Sequence, residues 1–163
     1  MPACIPELSD AHISDCATYR YTLGRCWDPE APRLNVVMLN PSTADASLDD
    51  PTITRLLKRA LLLGYGSLVV TNLFALRSTD PAALKSHPDP VGPDNDSVIR
   101  SAAEMSDQVI VAWGTDGVLH GRDAIVAAIL RETGKPIAAI KMTKSGHPSH
   151  PLYLKMNDLV VAY

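Results

Sequence analysis

The sequence is short of everything that would staple, anchor or export it. Its 163 residues hold three cysteines, Cys4, Cys16 and Cys26. Their odd number and the absence of a Cys-x-x-Cys pair exclude a disulfide framework, and free thiols are expected. Their spacing fits no common zinc or iron–sulfur pattern, even with His12 added. No apolar run approaches the roughly 18 residues of a membrane-crossing helix. The first seven residues lack the basic start and apolar middle of a signal peptide, so a cytoplasmic protein without membrane contact is expected. The phosphate-cradling patterns G-x-G-x-x-G and G-x-x-x-x-G-K-[S/T] do not occur, which disfavours dinucleotide and P-loop chemistry. A G-x-S-x-G nucleophile turn is missing as well.

An excess of positive charge is also missing. Fifteen Lys and Arg stand against eighteen Asp and Glu, a net charge of −3. That argues against a basic surface that coats nucleic acid without specificity. The balance is uneven: residues 1–130 carry ten basic and sixteen acidic side chains, residues 131–163 five and two. A polyanion site is therefore expected to involve the last fifth of the chain.

What is present reads as a single domain over residues 1–163, with 46% apolar residues on a length one core can serve. Residues 17–26 mix β-branched, aromatic and polar side chains, as an edge strand does. Leu34–Leu39 is a nearly continuous apolar run, suited to a strand covered on both faces. Leu68–Val70, Val109–Ala112 and Ile137–Ile140 resemble it. Between them lie helical patterns: one opens at Asp50-Pro51, buries Ile53, Leu56, Leu57, Ala60 and Leu61, and stops at Gly64. Asp94–Glu104 is a second, and Asp123–Thr133 a third with Ile125, Ala128 and Ile129 facing inward. The alternation predicts an α/β fold: a three-layer α/β/α sandwich on a mostly parallel four-stranded central sheet, plus an N-terminal edge strand or hairpin.

Ligands of open α/β sheets bind beyond the carboxyl ends of the strands. The segments there are Asn40-Pro41-Ser42-Thr43-Ala44-Asp45, Thr71-Asn72-Leu73-Phe74-Ala75-Leu76-Arg77-Ser78, Trp113-Gly114-Thr115-Asp116-Gly117 and Lys141–Leu152. Convergence of four such loops on one edge points to a site. Each also has a purely architectural reading. Asn40–Thr43 suits a turn or helix cap, and Trp113-Gly114 suits the end of a buried strand. His147 and His150 are conceivable as a metal pair with Asp49 and Asp50 as oxygen donors, although Asp49-Asp50-Pro51-Thr52 reads equally as a helix start.

Together with Asp50-Pro51-Thr52 and His150-Pro151-Leu152-Tyr153-Leu154, these motifs look like a bacterial family of uncharacterised small domains. Their order also resembles the uracil-DNA glycosylase superfamily. Leu39-Asn40-Pro41-Ser42 is similar to its first motif, in the Asn form of the mismatch-specific branch. Val69-Val70-Thr71-Asn72 is similar to the strand ending in a base-reading Asn, and Val111-Ala112-Trp113-Gly114 to the Trp-Gly strand. His147-Pro148-Ser149-His150-Pro151-Leu152 resembles the His-Pro-Ser-Pro-Leu loop with one residue inserted, so His147 and His150 are both candidates for the family's His. Ser42 stands where the uracil-specific branch has the Tyr that excludes thymine, which implies room for a bulkier base. Asn40 has no basic group and would orient water only.

The resemblance implies an N-glycosidic hydrolase acting on a deaminated or modified base in DNA, in base-excision repair, without a cofactor. Its catalytic candidates are Asn40, His147 and His150. Pro41, Ser42, Asp45, Asn72, Phe74, Arg77 and Trp113 would bind substrate, with Phe74, the single Phe, either stacking on the base or sitting in the core. Lys141, Lys144, Ser149 and Leu152 would meet nucleic acid, Leu152 as a wedge and the lysines at phosphates. The alternatives are a hydrolase or binding protein for a free nucleotide or nucleoside, and a noncatalytic nucleic-acid-binding module on the same fold.

Overall fold

A computed structural model of the protein describes residues 8–156, 158 and 160–163; Cys4 lies outside them. Seven strands form one sheet: β1 (Leu8–Ile13), β2 (Arg20–Cys26), β3 (Arg33–Met38), β4 (Ser67–Asn72), β5 (Gln108–Val111), β6 (Ile137–Ala139) and β7 (Val161–Ala162), in the order β1-β2-β4-β3-β5-β6-β7. The helices are α1 (Pro51–Leu62), α2 (Ala83–Ser86), α3 (Asn95–Glu104) and α4 (Arg122–Glu132).

This corrects the expected four-stranded sheet. β4, β3, β5 and β6 are mutually parallel, but β1 and β2 extend the sheet antiparallel on one side and β7 on the other, which makes it a mixed sheet of seven. The fold remains α/β. The strand expected over residues 17–26 is β2, but it is not the edge, because β1, whose Leu-Ser-Asp-Ala-His-Ile has no apolar run, pairs on its outer side. β7 is too short at two residues to be read as a strand.

Alternation along β3 sends its side chains to opposite faces. Leu34, Val36 and Met38 pack with Ile53, Leu56 and Ala60 of α1. Val37 packs on the other face with Ile99 and Ala103 of α3 and Val126 and Leu130 of α4. Helix α1 starts where the sequence suggests: Asp50 caps it by accepting from the Ile53 amide at 2.9 Å, and Pro51 occupies the first turn. Its buried face is Ile53, Leu56, Arg59 and Ala60, whereas Leu61 is exposed. The inward face of α4 differs from the expected one: Arg122, Val126, Ala127 and Leu130 are buried and Ile125 is exposed. The uninterrupted apolar stretch Ala124–Leu130 in the middle of α4 offers two stripes, and the packing selects one. No helix among the described residues is long and apolar enough to cross a membrane. Among the described residues Cys16 and Cys26 form no disulfide.

Candidate functional site

The four parallel strands end on one edge of the sheet, and the loops leaving that edge are held by side chains spent on backbone and by backbone hydrogen bonds between loops. The segment after β3 is fastened from β2. Arg20 donates from Nη1 to the carbonyl of Ala44 at 2.8 Å, and Arg25 donates to the carbonyl of Asp45 and pairs with the Asp49 carboxylate at 2.8 Å. Asp45 closes a local turn by accepting from the amides of Ser47 and Leu48, hydrogen bonds that hold its carboxyl below the usual range. Asn40 donates from Nδ2 to the carbonyls of Pro41 and Ser78, at 3.1 and 3.0 Å. Two carbonyls can only accept, so the Asn40 amide has one orientation and its Oδ1 faces the other way.

β4 ends on Asn72, which is 1% exposed. Among the described residues neither its Nδ2 nor its Oδ1 has a hydrogen-bond partner. Its backbone, by contrast, is gripped. Asn95 at the start of α3 donates to the carbonyls of Asn72 and Leu73 at 2.9 and 3.1 Å. Arg122, at the start of α4, donates to the Leu73 carbonyl at 3.0 Å and pairs with Asp96 at 2.7 Å. Asn95→Ala strips two buried carbonyls of this donor. It is expected to cost about 1–3 kcal/mol, read as a lower urea midpoint with an unchanged slope. An unchanged midpoint would show that these carbonyls find other donors.

After β5 comes Trp113, also buried, with its ring edge-on to Tyr163 at 5.7 Å and its Nε1 without a partner among the described residues. Gly117 lies against this ring so closely that a Cβ would stand 2.3 Å from Trp113 Cδ1. After β6 the chain makes a tight hairpin: Met142 bridges Pro148, the Thr143 amide donates to the His147 carbonyl at 2.7 Å, and Gly146 takes φ +84° at the tip. The Gly114 amide donates to the Pro148 carbonyl at 2.8 Å and joins the hairpin to the Trp113 loop. Further on, Arg55 of α1 donates to the carbonyls of Pro151 and Leu154, and Arg59 to those of Lys155 and Asp158, so the C-terminal segment is pinned on α1.

His150 opens the short turn Pro151–Tyr153, its Nδ1 accepting from the Leu152 amide at 3.3 Å. An accepting Nδ1 puts the proton of the neutral ring on Nε2. Burial lowers the pKa of His150 from its ordinary 6.5, against the opposing charge of Asp50. The unfolded chain therefore takes up this proton at higher pH than the folded one. Stability attributable to His150 is retained above pH 6.5 and lost as the pH falls from there towards the depressed folded value. Thermal melts are expected to show a steeper loss of midpoint below pH 6.5 in the wild type than in His150→Gln. Parallel curves would refute the assignment.

The loops enclose a cleft of about 780 Å³. Of the catalytic, substrate-binding and nucleic-acid-binding candidates named from the sequence, Asn40, Ser42, Asn72, Trp113, Lys141, Lys144, Ser149, His150 and Leu152 line it, as does Asp50. The others do not. Phe74 is fully buried in the core under α3 and α4, with its ring edge-on to His120, and has no face to offer a base. Pro41 serves through its carbonyl as an anchor for Asn40 and for the Ser78 amide. Asp45 spends its carboxylate on its own turn. Arg77 is tied through its amide to Thr18, outside the lining. His147 belongs to the far strand of the hairpin and is absent from the lining, so of the two histidines it is His150 that reaches the cleft.

Sequence reasoning missed Arg20 and Thr79 on this lining, and gave no role to Ser78 and Asp116 of the strand-end segments or to Thr52 of the helix start. Thr52 was within reach, because the helix start beside the end of β3 is legible. Arg20 carried no such signal, since it enters from an antiparallel strand that the strand-end rule does not consider. Burial lowers its pKa to about 10. Positive Arg20, Lys141 and Lys144 share the lining with Asp50 and Asp116. Among the described residues no group of three or more His, Cys, Asp or Glu is placed to hold a metal ion. Asp49 and Asp50 are engaged by Arg25 and by the start of α1. Residues 20–152 match the family described as a protein of unknown function (DUF1643). No curated protein and no solved structure matches the chain.

Proposed function

This chain belongs to the DUF1643 family, and we propose that it recognises a nucleobase in the cleft and hydrolyses the N-glycosidic bond that carries it. The observation that supports this reading best is Asn72. A buried amide with both atoms unpartnered is costly to keep, and one at the floor of a cleft large enough for a nucleotide is suited to the paired donor and acceptor on a base edge. Asn40 supplies the second part. Its clamped amide aims one acceptor oxygen, which orients an attacking water without taking its proton. The water oxygen bonds to C1′ of the sugar as the bond to the base breaks, and the proton passes through solvent to the departing base. His150, neutral with its proton on Nε2, supplies the third: a fixed donor for the negative charge that grows on the departing base. Ser42 on the lining leaves room for bases larger than uracil.

The test is release of base from end-labelled oligonucleotides carrying uracil, hypoxanthine or a modified pyrimidine, single-stranded and duplex. Base release that depends on Asn40 is the expected result. Absence of release from every substrate would overturn the reading for nucleic acid. The mixed charge of the lining, with Asp50 and Asp116 beside the lysines, favours a second reading on the same residues, a free nucleotide or nucleoside as substrate. It predicts small-molecule turnover with little salt-dependent affinity for DNA.

A further inference from the structure

Arg20 is a feature of the cleft that recognition of a base leaves unused. Its side chain is 2% exposed, and a guanidinium brings five donors that burial cuts off from water. Only Nη1 is engaged by a described residue, at the Ala44 carbonyl, while Nε has no partner among them. The other buried arginines are better served. Arg25 and Arg122 pair with carboxylates, and Arg59 donates to two carbonyls. No carboxylate lies within ion-pair distance of Arg20 among the described residues. The carboxylate of Asp50, which shares the lining, is committed to the Ile53 amide at the start of α1.

The surroundings suit an anion with several oxygens. Ser42, Thr52 and Thr79 bring hydroxyls to the lining, while the Ser78 hydroxyl is spent on Asp80, and Lys141 and Lys144 bring two more positive charges beside Asp50 and Asp116. Thr52 and Ile53 lie in the first turn of α1, where the aligned peptide dipoles favour negative charge. A guanidinium meets a phosphate through paired, charge-assisted hydrogen bonds, a match that a single buried arginine with spare donors is shaped for.

We propose that Arg20 is the anchor of a phosphate subsite, so that the cleft takes a nucleotide by its phosphate as well as by its base. The identity of the group attached to that phosphate rests on the reading of Asn72 as the base contact; the subsite itself does not. The phosphate belongs either to a free nucleoside monophosphate or to the backbone of a single strand, and binding assays separate the two.

Calorimetric titration at low salt of the full chain with inorganic phosphate, uridine, uridine monophosphate, inosine, inosine monophosphate and a short uracil-containing single strand provides the test. In the wild type a phosphorylated ligand is expected to bind at least about tenfold more tightly than its nucleoside. Arg20→Met, which replaces the buried charge by an apolar chain of similar length, should bring that ratio close to one, and Arg20→Lys should restore part of it. Arg20 dependence of the monophosphates marks a free nucleotide, and dependence of the strand alone marks the backbone; either supports the subsite. A ratio unchanged in Arg20→Met, or no binding of any phosphate-bearing ligand, overturns it. Phosphate binding that needs Arg20 while Asn72→Leu alters no ligand's affinity would uphold the subsite and remove the base reading. Base-selective binding that needs Asn72 but ignores Arg20 would do the opposite. Should Arg20→Met lose its folded circular dichroism, the Arg20→Lys ratio decides, because lysine keeps the charge but not the paired donors.

Discussion

Asn72→Leu is expected to raise the thermal midpoint of the protein and abolish its affinity for a nucleobase in the same step. Asn72 keeps both amide atoms buried without a partner among the described residues. Leaving such atoms unmade costs about 1–3 kcal/mol, and an apolar side chain of the same shape removes that cost. A net gain of about 1–2 kcal/mol corresponds to a few degrees at this chain length. The backbone contacts at this position, from Asn95 and Arg122, do not involve the Asn72 side chain. Asn35 provides the contrast. It is equally buried, but its Nδ2 donates to the Val69 carbonyl and to Thr71 Oγ1, so Asn35→Leu strips two partners and is expected to lower the midpoint. Opposite signs for the same substitution at two buried asparagines would mark Asn72 as a residue retained for recognition at the expense of stability. A lower midpoint for Asn72→Leu, or base affinity equal to wild type, would sink that interpretation.

Asn40→Ala is expected to slow base release by about 100-fold or more, the usual scale for losing a positioned group at the reacting centre. Two effects combine, because the side chain both aims its oxygen and ties the Pro41 and Ser78 carbonyls together. Asn40→Asp separates them. A carboxylate accepts more strongly than an amide yet cannot donate, and it would face two carbonyls that repel it. The variant is therefore expected to be no more active than Asn40→Ala and to melt at or below it. Activity above wild type in Asn40→Asp would mean that the position needs a base rather than a clamped amide. Full activity in Asn40→Ala would remove the water-orienting role altogether. Single-turnover base release, with a thermal melt of each variant, distinguishes these outcomes.

Much of this arrangement is legible along the chain. The apolar run Leu34–Leu39 and the capped start at Asp50-Pro51 locate β3 and α1 because burial and capping act over a few neighbouring residues. The polar segments after the strands locate the cleft because parallel strands must release their loops on one edge. The strand over residues 17–26 was legible as β2, but the seven-stranded mixed sheet was not. β1 has no apolar run and β7 is only two residues long, so nothing local shows that they add to the sheet on its two sides. Phe74 illustrates a second limit: its position after β4 suits a site, but the packing of α3 and α4 claims it for the core.

What the sequence by itself determined is local: strand and helix patterns, a helix cap, and four polar strand ends that belong together. Only the tertiary structure decided which side chains meet. It brought His150 rather than His147 to the cleft, left Asn72 with an amide unpartnered among the described residues, and delivered Arg20 from an antiparallel strand to the same lining. The physical reason is that hydrogen-bond satisfaction and desolvation depend on every group that surrounds an atom. Most of those groups are distant in sequence, as Asn95 is from Asn72 and Arg20 from Ala44.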